Sequence, residues 1–360
     1  MTDIDERTID TAFNCSVLLR HMLKIVPDLI LQAGDLVEIL HHSLMRCVNM
    51  INSFMKHNYR PVYISRYYQE IKFITKSLIH YCKHFKKVSG VTDHFVPQYD
   101  ILFELVHVLN MYMSSPVDYT YIAEFMRVTL PTLLDASQLK EIITKYFTEF
   151  NTNPHFVFDW KTKSLEVLII PLLQHYYRER SSHMDDGSDI FDADLMKLVM
   201  SEGYNAYASD GDVSVATTSS SRKNDHDLLK VALLKLSSIL LSYCHSLLRV
   251  YKKDLIKYPW NCIKAEDYLL KYWSYVSICY FVAAFDSPAK IIIQVYVALL
   301  KASTSEGKDI IRIAVDKLLP ALSSRLYRYS LTHLLTHSPT HSPSTATTCS
   351  RSSSGLRRFY

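Results

Sequence analysis

Few side chains in this sequence have a type and spacing that could do chemistry. The densest group is His80-Tyr81-Cys82-Lys83-His84. Imidazole and thiolate are the usual zinc ligands, and a structural site takes four of them in a tetrahedron. On a helix, however, His80 and His84 share one face while Cys82 points nearly opposite. No second Cys or His motif stands nearby, so these residues read as helix surface and core, and no metal site is expected. His333, His337 and His341 recur every fourth residue, but Pro339 breaks any helix that would align all three. Asp185, Asp186, Asp189, Asp192 and Asp194 lack the D-x-[DN]-x-[DN]-G register of a calcium loop and read as a solvated acidic linker.

The remaining candidates are charges, indoles and hydroxyls. Lys83, Lys86 and Lys87, like Arg249, Lys252, Lys253 and Lys257, fall toward expected helix C-termini, where cations offset the helix dipole. A phosphate-binding patch is the alternative reading of both clusters. Trp160, Trp260 and Trp273 read as packing residues between helical layers, with an exposed partner-binding anchor as the alternative for each. Ser338-Pro339 and Ser342-Pro343 fit proline-directed phosphorylation. No Ser-His-Asp, Cys-His or paired-carboxylate arrangement can be assembled on spacing, and fold-level analogy does not justify one. The expectation is a chain with no catalytic, cofactor-binding or metal residues, no cofactor and no small-molecule substrate.

Composition bounds the elements that carry these residues. There are seven glycines in 360 residues, about 2% where roughly 7% is usual. Glycine supplies hairpin turns and the close backbone approach of phosphate loops. Its scarcity favours helices, and neither G-x-G-x-x-G nor G-x-x-x-x-G-K-[ST] occurs, which excludes nucleotide sites of those types. Apolar residues make up 48% of the chain, enough for a large core, and charged residues only 21%. A net charge of +4 is no nucleic-acid signature, since such modules concentrate basic residues on one face. Seven scattered cysteines, odd in number and in apolar contexts, fit reduced buried thiols of a cytosolic or nuclear protein. The polar, acidic Met1–Arg7 stretch does not resemble a signal peptide. The apolar run Tyr275–Phe285 is shorter than the roughly 20 residues of a membrane span, so a soluble protein is expected.

Helical patterns succeed one another with little between them. They cover Pro61 to about Val88, Val96–Met113, Val117–Val128, Ser137–Phe150, Thr162–Tyr177, Asp227–Lys257 and Ser305 to about Leu322. Ser287-Pro288 reads as an N-cap and a first helical residue. The following residues to Ala302 are apolar almost all round, as in a helix sandwiched between neighbours. The β-branched Ile291, Ile292, Ile293, Val295 and Val297 make a buried strand the competing local reading, but length and the proline start favour helix. Tandem helices with short joints describe stacked helical hairpins. Aliphatic-Pro-x-Leu recurs at Pro27, Pro131, Pro171 and Pro320. The middle pair is spaced like a HEAT or armadillo unit; prolines near helix starts by chance are the alternative.

The sequence therefore predicts an all-α, HEAT-like solenoid, with helical repeats over 1–180 and 227–322. Residues 181–226, acidic and then Ser/Thr-rich, read as a mostly disordered insertion with one weak helix at Asp192–Met200. Residues 323–360 read as a low-complexity, disordered tail, with Thr336-His337-Ser338-Pro339 repeated at once as Thr340-His341-Ser342-Pro343.

Several phrases resemble one family. They are Trp260-Asn261-Cys262-Ile263-Lys264-Ala265-Glu266-Asp267, Phe285-Asp286-Ser287-Pro288-Ala289-Lys290, and Gln294-Val295-Tyr296-Val297-Ala298-Leu299-Leu300. They continue in Ala314-Val315-Asp316-Lys317-Leu318-Leu319-Pro320-Ala321-Leu322, with a second stretch at Thr144–Leu173 that includes Phe150-Asn151-Thr152-Asn153-Pro154. Together these are similar to the TRRAP family (transformation/transcription domain-associated proteins), its fungal branch especially. The resemblance implies a piece of the HEAT portion of a giant, kinase-related but catalytically inactive subunit of histone acetyltransferase complexes. Such a protein is nuclear, receives transcriptional activators and brings acetyltransferase activity to promoters. It implies protein partners, namely activators and complex subunits, with no direct nucleic-acid site and no membrane. The tail after Leu322 departs from the family pattern, as it would if a gene model ran past an exon boundary. Two rival readings are a solenoid piece of an active phosphatidylinositol-3-kinase-related kinase and an unrelated helical-repeat transport receptor.

Overall fold

A computed structural model describes residues 17–32, 34–57, 61–85, 97–111, 118–152, 158–180, 190–205, 220–302 and 307–336. Every regular element among them is helical, and no strand occurs. In chain order these are α1 (residues 17–25), α2 (Leu29–Gln32), α3 (Gly34–His57), α4 (Pro61–Cys82), α5 (Asp100–Met111), α6 (Thr120–Glu124), α7 (Ala136–Lys145) and α8 (Phe158–Lys163). There follow α9 (Ile170–Arg180), α10 (Ala193–Leu198), α11 (Ser220–Tyr243), α12 (Lys252–Cys262), α13 (Tyr268–Ala284), α14 (Ala289–Ala302) and α15 (Lys308–Thr336). The all-α expectation holds.

Packing runs from each helix to near neighbours in the chain. The hairpin α3–α4 leads to α5, which lies on α6 and α8; α8 and α9 pack on α11, α11 on α13, and α13 on α12 and α15. A stripe that no single helix can bury alone is thus covered by the next layer, which is how a helical-repeat array makes its core. One continuous apolar cluster reaches from Leu23 to Phe285, and a second gathers α13, α14 and α15 around Val276, Cys279, Leu299 and Leu318.

Layers are registered by buried side-chain hydrogen bonds, because helices have no backbone groups to share. Trp160 Nε1–H donates to the Phe103 carbonyl at 2.9 Å, and Tyr146 hydroxyl donates to the Lys161 carbonyl at 3.0 Å. Ser237 and Ser277 hydroxyls meet at 2.8 Å between α11 and α13. Tyr119 hydroxyl donates to the Tyr68 carbonyl at 2.9 Å. Between α3 and α5 the link is ionic when His41 is protonated: His41 Nε2 lies 3.6 Å from Glu104 Oε1. That separation is too long for a hydrogen bond but close enough for an ion pair.

Several helices are widened. The stretches Phe125–Thr129, Tyr146–Phe150, Ser164–Ile169 and Val199–Asn205 carry π-type turns, in which Asn151 N–H, for example, reaches five residues back to the Tyr146 carbonyl at 2.7 Å. Tyr146, Phe147 and Phe150 are all buried, so one widened turn turns three large rings inward.

Helix boundaries differ from the sequence reading in informative ways. Asp135, not Ser137, opens α7: its carboxylate accepts from Gln138 N–H while Gln138 Oε1 accepts from Asp135 N–H. Ser287 hydroxyl donates to the Phe285 carbonyl, and α14 begins one residue later than expected, with the Pro288 carbonyl accepting from Ile291 and Ile292. The single helix expected over Asp227–Lys257 is broken at Cys244–Ser246. There Tyr177 stacks on Tyr243, with ring centroids 4.4 Å apart, and its hydroxyl lies 3.1 Å from the Cys244 sulfur. Helix α15 continues through Pro320 to Thr336, past the expected end at Leu322. The Aliphatic-Pro-x-Leu prolines fall at unlike places: a turn before α2, a 3-10 turn, the start of α9 and the middle of α15. The motif therefore does not mark one repeat unit. The parts of the helices expected at Val88, Val96 and Val117 lie outside the described residues.

The segment read as an insertion contributes core. Asp192 caps α10, accepting from Leu195 N–H at 2.8 Å. Ile190, Phe191, Leu195, Met196, Val199, Met200 and Tyr204 are buried. Gly203 sits where a Cβ would come within 3.1 Å of the Phe147 ring. Its missing side chain lets Val199–Asn205 close on Tyr146–Phe150. Residues 181–189 and 206–219 lie outside the described residues.

Two predictions follow from this packing. Tyr204 is wholly buried and its hydroxyl donates to the Leu233 carbonyl at 2.9 Å. Tyr204→Ala should cost about 3–5 kcal/mol in urea unfolding, whereas a loss near zero would mean residues 190–205 are not core. The second concerns His41, whose pKa is held above its ordinary value chiefly by Glu104. A raised folded pKa gives stability that is complete below pH about 6.5 and fades as pH rises through the folded value. His107 has the opposite sign, since burial against Trp160 lowers its pKa. The advantage of the native chain over His41→Gln in urea midpoint should therefore be largest near pH 5.5 and shrink steadily toward pH 9.

Candidate protein-binding surface

Helix α12 is the clearest case of a helix with one side left over. Leu255, Tyr258, Pro259 and Cys262 are buried beneath it. Lys253, Lys257 and Trp260 recur at helical spacing on the opposite side, with Lys264 just beyond the last turn, and all four are exposed. Trp260 is 53% exposed, an unusual cost for an indole. It does not pack between layers as expected. Trp160 does, stacked on His107 and bonded to Phe103, and Trp273 is half-buried with Lys235 Nζ over its ring.

The break at Cys244–Ser246 also changes the meaning of the basic cluster. Lys252 and Lys253 stand in the first turn of α12, where a cation opposes the helix dipole. The expected dipole explanation therefore fails for them. Lys252 finds another partner, with Nζ 4.6 Å from the Phe285 ring centroid. Neither Lys253 nor Lys257 has an ion-pair partner among the described residues. Two unpaired cations beside an exposed indole offer an apolar anchor with a positive rim, the composition of a binding hot spot for an acidic segment.

A second surface is apolar. On α14, Ile292, Val295 and Leu299 are buried, while Ile293, Val297 and Leu300 form a stripe 42–56% exposed. Among the described residues the helix is covered on one side only, against the expectation of a sandwiched helix. Ile313 and Leu319 of α15 are also more than 40% exposed. At the other end Leu18, Met22 and Ile25 of α1 face outward.

The other sequence candidates scatter. Cys82 is fully buried, and burial raises its thiol pKa, so it is no ligand. His80 and His84 stay at the surface, where Asp28 joins them: His80 Nε2 lies 3.1 Å from Asp28 Oδ1. Asp28 comes from a turn 52 residues earlier, and only the fold reveals it. Lys83 follows the end of α4, where the dipole reading applies. Asp192 is a helix cap paired with Lys140, and Asp194 lies exposed in the first turn of α10. Asp185, Asp186, Asp189, Lys86, Lys87, His337, His341, Ser338 and Ser342 lie outside the described residues, as does the side chain of His333. Cys47, Cys82, Cys244, Cys262 and Cys279 are buried and form no disulfide among the described residues. No helix is long and apolar enough to cross a membrane among the described residues. A cavity of about 230 Å³ lies between Leu23, Pro27, Ile30, Lys76, Ser77 and His80. It is smaller than the roughly 300–1,000 Å³ typical of small-molecule pockets.

Comparison with known proteins matches this arrangement to a family. A model described as the Tra1 HEAT repeat ring region matches residues 2–338, and so reaches into the segment read as a tail. The chain is 27% identical to "Probable transcription-associated protein 1" of Dictyostelium discoideum over 260 residues, 72% of this chain and 5% of that protein. It is 41% identical over 101 residues to "SAGA complex/NuA4 acetyltransferase complex subunit TRA1" of Saccharomyces cerevisiae, 28% of this chain and 3% of that protein. Against the human "Transformation/transcription domain-associated protein" it is 21% identical over 299 residues, 79% of this chain and 7% of that protein. The chain thus spans only a few per cent of the length of these relatives. With only helices among the regular elements of the described residues and a family match over residues 2–338, the chain belongs to the Tra1 HEAT-repeat ring family, the TRRAP-type transcription-associated scaffolds.

Proposed function

We propose that this chain acts as a non-catalytic segment of a nuclear coactivator subunit, linking transcriptional activators to a histone acetyltransferase complex. The observation that carries the reading is the family match over residues 2–338, with relatives named as subunits of SAGA and NuA4 acetyltransferase complexes. The physical arrangement supports it. An array of helices spends its side chains on holding layers together and presents long surfaces, so binding is its natural work. Its exposed specialised groups are an aromatic-basic ridge on α12 and an apolar stripe on α14. We assign the ridge of Lys253, Lys257, Trp260 and Lys264 to an acidic protein partner, and the α14 stripe to a further helical layer or subunit.

The test is co-purification from nuclear extract on the tagged chain. Acetyltransferase-complex subunits should be retained, and recovery of a Ran-type GTPase instead would favour a transport receptor. Trp260→Ala should weaken capture by roughly tenfold or more, the loss expected when a buried aromatic anchor is truncated. Trp260 is exposed, so its loss should leave the urea midpoint unchanged. Equal capture by both chains would remove the ridge from the proposal while leaving the family assignment intact.

A further inference from the structure

We propose that Asp28, His80 and His84 form a binding site for a divalent transition-metal ion of the zinc class, which clamps the turn between α1 and α2 onto α4. The three residues bring two imidazoles and a carboxylate together, with one ligand atom from each lying within 4.8 Å of the others. That set suits zinc and leaves a fourth tetrahedral position for water. Bonds of about 2.1 Å to a tetrahedral ion place ligand atoms roughly 3.4 Å apart. Asp28 Oδ1 and His80 Nε2 already stand 3.1 Å apart. No separation in the cluster exceeds 4.8 Å, so the widest has to close by at most about 1.4 Å, which side-chain rotation at a partly exposed site supplies.

The hydrogen bonding prepares the ligands. His84 Nδ1 lies 2.9 Å from the His80 carbonyl, which can only accept. The proton is therefore on Nδ1, and a neutral His84 ring presents the lone pair of Nε2 outward. A backbone carbonyl holding the far nitrogen of a ligating histidine is the usual support of a metal site. The two rings stand edge to face, with centroids 4.9 Å apart. The turn that carries Asp28 is anchored on both sides, since Leu23 of α1 and Ile30 of α2 are buried, while the Asp28 side chain itself is exposed. Lys76, one turn before His80, lies with Nζ 5.4 Å from the Tyr121 ring centroid. Ion entry replaces the contact between His80 Nε2 and Asp28 Oδ1, and a neutral His80 ring then carries its proton on Nδ1.

The experiment titrates the full chain, carrying His333→Ala, His337→Ala and His341→Ala to remove the other closely spaced histidines, with zinc by calorimetry. Cobalt is titrated in parallel, and its visible absorption reports tetrahedral coordination. The expected result is one ion per chain, with affinity falling by roughly tenfold or more in each of Asp28→Asn, His80→Gln and His84→Gln. Cys82→Ser should bind as the parent does. Far-UV circular dichroism checks that each variant is folded. Zinc should also protect His80 and His84 from diethylpyrocarbonate in the unsubstituted chain, a readout that needs no variant. No binding at submillimolar zinc, unchanged affinity in the three ligand variants, or unprotected histidines would each overturn the proposal.

Discussion

No helix in this chain can bury its own apolar face, and that constraint organises everything else. A helix of the length of α5 or α11 presents apolar residues over more of its surface than one partner covers. Each layer must therefore be shared with the next, and the shared surface becomes the core. Leu102, Leu105 and Val106 of α5 vanish between α6 and α8, and Leu229, Leu233 and Leu240 of α11 between α8, α9 and α13. The same rule explains where apolar groups remain exposed. At α14 no described helix covers one side, and Ile293, Val297 and Leu300 stay exposed there.

Burial alone would let such layers slide, because apolar contact is not directional. The polar links supply direction, and they are sparse and unlike one another. An indole reaches a carbonyl at Trp160–Phe103, two hydroxyls meet at Ser237–Ser277, and a charge pair forms at His41–Glu104. Each sits in or beside a dry layer, where an unmade hydrogen bond costs about 1–3 kcal/mol. Sliding by one turn would break several at once.

Much of the fold was legible because it depends on period and composition. Seven glycines, repeated 3.6-residue stripes and the absence of hairpin signals lead to stacked helices without any knowledge of tertiary contact. What escaped depends on contact between distant residues. Ile190 to Tyr204 looked like part of a linker because Asp and Ser surround it, yet its apolar residues find Phe147 and Leu233 across the fold. The turn at Cys244–Ser246 has no Gly or Pro to announce it, and is marked instead by Tyr177 from another helix. Asp135 was passed over as a cap because Ser137 sits two residues on and has the same preference. The candidate metal cluster depends on such contact in the same way. His80 and His84 were placed correctly on one helix face, but their third partner arrives from Asp28, which no local spacing encodes.

The broken helix shows how a missed boundary changes a functional reading. Continuous from Asp227 to Lys257, the helix would have placed Lys252, Lys253 and Lys257 at its C-terminus, where the dipole explains them and nothing more is needed. Once the chain turns at Cys244, Lys252 and Lys253 fall in the first turn of α12 and oppose its dipole, while Lys257 lies inside the helix. A residue kept where its local electrostatics are unfavourable needs a compensating interaction. Lys252 has one in the Phe285 ring. Lys253 and Lys257 lie instead on the exposed side of α12, along with Trp260, which the packing of α12 on α13 does not use. Lys253, Lys257 and Trp260 are thus aligned on one exposed face of α12, the arrangement on which the proposed binding ridge rests.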